Sequence, residues 1–260
     1  MSLKRTSVKL LSWLYPYEDQ QKELVSPELA ISEVSLLLPE ISGGGQRSLV
    51  SLLEKQQYVV RYRSQGASYL QITSHGREAL EAQFPVFRFL HEPWNGTWSL
   101  IAFLEAPKND PQFRYLRSRL IQERAAQFKP GLYLYPGKLN AELSVLLKRM
   151  YVGALVVWQS DEWQFGDERH IVSEIFGFSD LLSALSGASK EIDELLSKIS
   201  DEKRLTEKGK EIKSSIFKVL NRLVEVMEQD LGIATFYFPQ VESMKKILYR
   251  LHWAYKEVER

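Results

Sequence analysis

The chain contains no cysteine. Disulfides, thiolate metal sites and a cysteine nucleophile are therefore excluded, and a reducing compartment, by default the cytoplasm, is expected. It has no excess of charge of one sign either, with 34 Lys and Arg against 33 Asp and Glu. A polyanionic partner is not announced by the whole chain, so any such signal must be local. Long apolar runs are missing as well. The most apolar internal stretch, "MYVGALVVW" from Met150 to Trp158, falls far short of the roughly 20 residues that cross a bilayer, and no membrane span is expected. The amino-terminal "MSLKRTSVKLLSWLYPYEDQ" starts with Lys4 and Arg5 like a signal peptide. Its apolar run is broken by Lys9 and Ser12 and no small-residue cleavage site follows, so it reads as a helix. Histidine is scarce: His75, His91, His170 and His252 show no paired spacing, and Gly-x-Ser-x-Gly is absent. The acid-rich "DEWQFGDERH" from Asp161 to His170 reads as a polar turn around Trp163 and Phe165.

What remains is an ordinary globular composition, 44% hydrophobic and 26% charged over 260 residues, enough for two or three small domains. The segment Ser7 to Tyr15 places Val8, Leu11 and Leu14 or Tyr15 at helical spacing, with Lys9 and Ser12 outside. In "SPELAISEVSLLLPEI", Ser26 caps and Pro27 opens a second helix whose apolar face is Leu29, Val34, Leu37 and Leu38; Pro39 ends it. "SGGG" supplies a loop, and Gln46 to Lys55 forms a third helix with Leu49, Leu52 and Leu53 inward. Gln46, Arg47, Ser48 and Ser51 point outward. Three helices with a tight turn before the third are the helix-turn-helix plan, whose third helix presents short polar and Arg side chains to base edges.

"YVVRYRSQGASYLQI" then alternates, with Tyr58, Val60 and Tyr62 on one face and Val59, Arg61 and Arg63 on the other, turns at Ser64 to Ala67 and returns through Tyr69 to Ile72. This is a two-stranded wing. Lys55, Arg61, Arg63 and Ser68 are the candidates for contact with the phosphate backbone, beside Gln46, Arg47, Ser48 and Ser51 for base edges. "ITSHGREAL" starts a further helix with Thr73 or Ser74 as cap. Arg47, Lys55, Arg61, Arg63 and Arg77 outweigh Glu54 and Glu78 here, so the local sign is positive.

Beyond the wing, Trp98 to Leu104 reads as a strand, Asp110 and Pro111 to Glu123 as a helix with Phe113, Leu116 and Leu120 inward, Phe128 to Tyr135 as a strand, Asn140 to Met150 as a helix and Ala154 to Gln159 as a strand. Alternating β and α with short links implies a ferredoxin-like split βαβ sheet. From Ser179 onward the pattern is helical: Ile212, Ile216, Leu220, Leu223 and Met227 form one stripe, and a last helix from Val241 carries Ile247, Leu248, Leu251, Trp253 and Tyr255, read as core.

Within this frame, Trp94, Gly96, Trp98 and Leu100, then Pro107, "LRSRL" from Leu116 to Leu120, and Pro130, Gly131, Leu132 and Pro136 resemble the central domain of PaaX-type repressors, regulators of phenylacetate degradation. "ITSHGREAL" is similar to that family's "LTPxGRxxL" after the wing, so the resemblance spans about Gly43 to Leu147. It implies a DNA-binding transcriptional regulator. The central domain of that family is similar to the CRISPR spacer-acquisition nuclease fold, which raises a metal-nuclease alternative. Leu104 stands where the nuclease Asp would, and Glu105, one residue on, points to the opposite face. The carboxyl-terminal part keeps only Asp230, Leu231 and Pro239 of the family's usual ending, so the family's aryl-acetyl coenzyme A effector is not carried over.

The expectation is an α+β protein with a winged helix-turn-helix over 1–90, a ferredoxin-like domain over 91–170 and a helical domain over 171–260, acting without a cofactor or a catalytic site. Its partners would be double-stranded DNA, a second copy of itself and a small-molecule effector of unknown identity, with no membrane. A non-catalytic protein-interaction scaffold is the third reading.

Overall fold

Helix α1 (Arg5–Trp13) opens the chain in a computed structural model that describes residues 3–18, 21, 23–89, 94–104, 110–150, 154–164, 166–201 and 208–259. Val8 and Leu11 are buried as their spacing requires, but so are Lys9 and Ser12, which the sequence placed outside. Lys9 Nζ reaches Glu40 Oε1 at 2.6 Å, and Ser12 Oγ lies 3.8 Å from Met227 Sδ. The side that looked polar in isolation is met by Glu40 and Met227, both distant from it in the sequence. The residues divide into two compact units, Met1–His91 with Asp180–Asp230 and Pro239–Arg260, and Glu92–Ser179 with Leu231–Phe238.

In the first unit, β1 (Tyr17–Glu18) and β2 (Leu24–Val25) form a short antiparallel pair. The helix expected from Ser26 does not start there. Leu29–Ala30 is strand β3, followed by a 3-10 turn over Ile31–Glu33 and then α2 (Val34–Leu37). The reason is pairing: Leu29 sits opposite Leu70 and Ala30 opposite Tyr69, so a β-ladder takes backbone groups that a helix would have used internally. Leu29, Val34, Leu37 and Leu38 are all buried.

Helix α3 (Gly43–Lys55) also begins earlier than its apolar pattern indicates. The three glycines are its first turn rather than a loop, with Ser42 as N-cap accepting from Gly45 N at 3.3 Å. Leu49, Val50 and Leu53 face the core, while Leu52, expected inward, is 40% exposed. Strands β4 (Val59–Ser64) and β5 (Ala67–Ile72) pair from Val59↔Ile72 to Ser64↔Ala67. Gln65 and Gly66 both have positive φ, 51° and 82°, the type I′ signature that matches hairpin twist. The sheet order is β3-β5-β4. Thr73 caps α4 (Ser74–Gln83) by accepting from Gly76 N at 3.0 Å, and α5 (Val86–Phe89) follows.

The second unit is built on β6 (Trp98–Phe103), α6 (Pro111–Gln122), β7 (Ala126–Lys129), β8 (Leu132–Pro136), α7 (Ala141–Met150) and β9 (Leu155–Ser160). Its sheet order β7-β8-β6-β9, antiparallel throughout, is the ferredoxin-like split βαβ arrangement. The single strand expected over Phe128 to Tyr135 is a hairpin, because Gly131 at φ 80° reverses the chain after Pro130. Ile101, Phe103, Leu116, Leu120 and Tyr133 lead the core between sheet and helices. Asp110 and Asn140 cap α6 and α7, accepting from Gln112 N at 2.8 Å and Leu143 N at 2.7 Å. The acid-rich stretch after β9 ends not as a turn but as the start of α8 (Glu168–Phe176), with Asp167 as its cap at 3.0 Å from His170 N; Phe165 lies outside the described residues.

Helix α9 (Phe178–Asp201) runs into α10 (Lys208–Val226) through undescribed residues; the short α11 (Ala234–Tyr237) is part of the second unit, and α12 (Met244–Glu259) of the first. The stripe Ile212, Ile216, Leu220, Leu223 and Met227 is buried, with α10 packed on α1, α2 and α12. Asn221 Nδ2 donates to the Leu37 carbonyl at 3.0 Å, Lys213 bridges Glu33 and Glu259, and Tyr255 OH bonds Glu33. In α12, Ile247, Leu248, Leu251 and Tyr255 are core, whereas Trp253 is 43% exposed.

Candidate nucleic-acid interface

Burial of Leu49, Val50 and Leu53 leaves the other side of α3 in solvent, where Arg47, Ser48, Ser51 and Lys55 are all exposed. Arg47 and Lys55 have no ion-pair partner among the described residues. Gln46 is placed differently. Its Nε2 donates to the carbonyls of Leu38 at 3.2 Å and Ile41 at 3.0 Å, so its amide nitrogen closes the turn between α2 and α3 and only its oxygen is left for a ligand.

Alternation in β4 puts Val59, Arg61 and Arg63 on one face. Val59 is buried, and Arg61 reaches Glu54 Oε2 of α3 at 2.8 Å, which identifies this as the face turned toward α3. Glu54 therefore neutralises Arg61 and fixes strand to helix. Arg63, next on the same face, is exposed with no ion pair among the described residues, and half-buried Ser68 sits opposite it in the ladder. On the other face, Tyr62 stacks on Tyr69 at 5.8 Å; burial, with a hydrogen bond to Glu28, pushes its phenol up to about 12. The β4–β5 hairpin is thus stiffened from behind while Arg63 stays free in front.

The glycines of α3, which the sequence offers as a phosphate cradle but which read more simply as a flexible turn, stand at the open start of a helix. A Cβ built on Gly43 would meet nothing within 4 Å, and one on Gly44 only Ser42 Oγ at 3.9 Å. Neither has a positive φ. The fold itself has room for alanine there, and glycine costs a helix about 1 kcal/mol relative to alanine. A bare first turn at a helix N-terminus is where an anion can approach backbone N–H groups most closely.

In the second unit, the "WNGTW" stretch is a local structure rather than a ligand loop. Trp94 Nε1 donates to the Thr97 carbonyl at 2.9 Å and Thr97 N to Asn95 Oδ1 at 3.1 Å, while Gly96 at φ 86° passes Phe236 closely enough that a Cβ would lie 3.2 Å from its ring. Trp98 Nε1 donates to Tyr237 OH at 3.1 Å, and Tyr237 in turn bonds Glu168. Burial and that carboxylate push the Tyr237 phenol up. The position of the nuclease Asp is taken by Leu104, 65% exposed, and Glu105 lies outside the described residues. Among the described residues no three His, Asp or Glu side chains come together as a metal would require.

Residues 91–172, about a third of the chain, match the family model described as the PaaX protein central Cas2-like domain. No curated protein matches the chain significantly. Among solved structures it is similar to the uncharacterized protein Rv0674 from Mycobacterium tuberculosis, at 12% identity over 88% of this chain and 91% of that one, with a TM-score of 0.39.

Proposed function

We propose that this protein is a PaaX-like transcriptional regulator, acting as a repressor, that binds double-stranded DNA sequence-specifically through a winged helix-turn-helix formed by α1, β3, α2, α3, β4 and β5. The observation that carries the reading is the pairing of two unneutralised arginines in one unit, Arg47 on the solvent side of α3 and Arg63 on the wing face turned toward α3. Arg47, Ser48, Ser51 and the free oxygen of Gln46 are suited to base edges in a major groove. Lys55, Arg61, Arg63 and Ser68 are suited to the phosphate backbone, which positions without specifying. The match of residues 91–172 to the PaaX central domain supports a regulator at the level of the family. A homodimer in the cytoplasm, reading a two-fold operator, completes the proposal, since two half-sites need two copies.

Fluorescence anisotropy with duplex from upstream of the protein's own gene and a scrambled duplex, over a salt series, tests it. A steep salt dependence with a gap of about a thousandfold between the two duplexes is the expected result. No binding to either duplex at low salt would reject it in favour of a protein-interaction role.

A further inference from the structure

Helix α2 is a single turn of four residues, with no side-chain cap at its start. A turn of that length does not hold itself, because helix formation begins with a costly nucleus. Its place must come from what touches it, and several of those groups lie far along the sequence. At its start, Glu33 accepts from Lys213 Nζ at 2.5 Å and from Tyr255 OH. At its end, the Leu37 carbonyl accepts from Asn221 Nδ2 at 3.0 Å. Lys213 and Asn221 both stand on α10, a helix of 19 residues, so one long element holds both ends of the short one. These are not loose surface contacts. The Lys213 and Glu33 side chains are 13% and 16% exposed, and Asn221 Oδ1 is buried without a hydrogen-bond partner among the described residues. Leucine at 221 would exchange one unsatisfied acceptor, the asparagine oxygen, for another, the Leu37 carbonyl. That exchange is close to neutral for stability, so stability alone gives little reason for asparagine there.

From α2 the placement passes to α3. The chain leaves α2 at Leu38, and Gln46 of α3 donates to the carbonyls of Leu38 and Ile41, so a shift of the turn carries α3 with it. Lys9 of α1 holds the same turn at Glu40. We propose that Asn221 and Lys213 are positioning residues for DNA reading: they seat α2 on α10, and through α2 and Gln46 they set where the exposed side of α3 stands. Neither need touch DNA. Base contacts require the helix in one place, whereas phosphate contacts carry no sequence information. Loss of the seat therefore lowers discrimination between sequences more than binding in general. The effect on DNA rests on the regulator reading; the link from α10 to Gln46 does not.

Both parts are read on the full-length protein. Without DNA, Asn221→Leu is expected to move the Gln46 side-chain amide resonances in ¹H–¹⁵N spectra, assigned from Gln46→Met, and to melt within about 4 °C of wild type. With DNA, a duplex that the wild type enriches from a random pool should bind Asn221→Leu about tenfold more weakly, the cost of one spoiled base contact. A scrambled duplex should bind it within about twofold of wild type, since phosphate contacts are blind to sequence. Glu33→Gln combined with Lys213→Met removes the two charges together, so that neither is left buried and unpaired. The double variant should behave alike, and it decides the matter if Asn221→Leu fails to fold. A merely structural role would lower the melting temperature and leave both the Gln46 amide and the ratio of the two affinities as in wild type; that result overturns the proposal. A moved Gln46 amide with an unchanged ratio overturns the part in DNA reading alone. If the wild type enriches no duplex, the regulator reading falls, and the Gln46 amide still decides whether α10 seats the turn.

Discussion

A methyl group placed on Gly76 would lie 2.2 Å from the carbonyl oxygen of Tyr58. That oxygen already accepts from Thr73 N at 3.0 Å, so the first turn of α4 is pressed directly against the backbone that enters β4, and only a residue without Cβ allows it. Alanine ordinarily stabilises a helix relative to glycine by about 1 kcal/mol. Gly76→Ala should instead destabilise by about 1–3 kcal/mol, the range of forced overpacking, measured as a lower midpoint in urea denaturation. Stability unchanged or improved would contradict the close approach.

Gly44→Ala should do the reverse. With open space around the new methyl, the variant is expected to gain up to about 1 kcal/mol in stability while losing affinity for DNA severalfold, because the methyl keeps phosphate from the first turn of α3. Thermal denaturation and anisotropy on the same sample separate the effects. A gain in stability with unaltered binding would assign the glycines no part in the interface.

Arg47→Ala should cost about 1–3 kcal/mol on the operator and relax sequence preference, as loss of a base contact does. Arg63→Ala should weaken binding equally on all duplexes and reduce the salt slope by about one unit. Arg61→Ala is expected to change the slope less, since Glu54 already holds its charge at 2.8 Å, and Glu54→Gln should tighten DNA binding by releasing Arg61. Equal slopes for the Arg61 and Arg63 variants would show that the ion pair opens on DNA.

His252 is held down to about 3 by burial, with the positive charge of Lys256 adding to it and a hydrogen bond to the Trp13 backbone opposing it. The native imidazole stays neutral while the unfolded one takes a proton below its ordinary value near 6.5. Stability from this group is therefore complete above about pH 6.5 and is lost as pH falls toward 3. The slope approaches one proton, about 1.4 kcal/mol per pH unit. Urea titrations between pH 7 and 5 read it, and His252→Phe should flatten that limb. A wild-type stability independent of pH over this window would mean that the ring takes its proton as readily in the fold as in the unfolded chain.

Much of the β4–β5 hairpin was legible because turn chemistry is local. Gln65 and Gly66 supply the two positive φ values that the hairpin needs, and the alternation of Val59, Arg61 and Arg63 survives intact. The central sheet was legible for the same kind of reason, with Asp110 and Pro111 starting a helix where cap and first turn require them. What failed was non-local. Nothing in "SPELAISEV" states that Leu29 and Ala30 will pair with a strand 40 residues on, and Lys9 and Ser12 looked solvated because the groups they meet, Glu40 and Met227, are distant in the sequence. Gln46 carried no mark of its role in closing a turn. The glycines before it were read from their usual place in loops, whereas a Ser42 cap suffices to draw them into a helix. An amphipathic stripe such as Ile212 to Met227 announces that it will be buried and is silent about against what.

The first unit is assembled from both ends of the polypeptide, with residues 92–179 lying between its parts in the sequence. On the ribosome, α1 emerges some 200 residues before α10 and α12 exist to cover it. Until then the indole of Trp13 lacks the rings of Phe217, His252 and Tyr255 that it packs against. Contacts of such sequence separation are slow to close, and a chain caught before they form exposes the apolar surface that chaperones recognise. Helix α2, which leads into α3, packs on α10, so the support beneath the DNA-reading face that we propose would be complete only after α10 has formed.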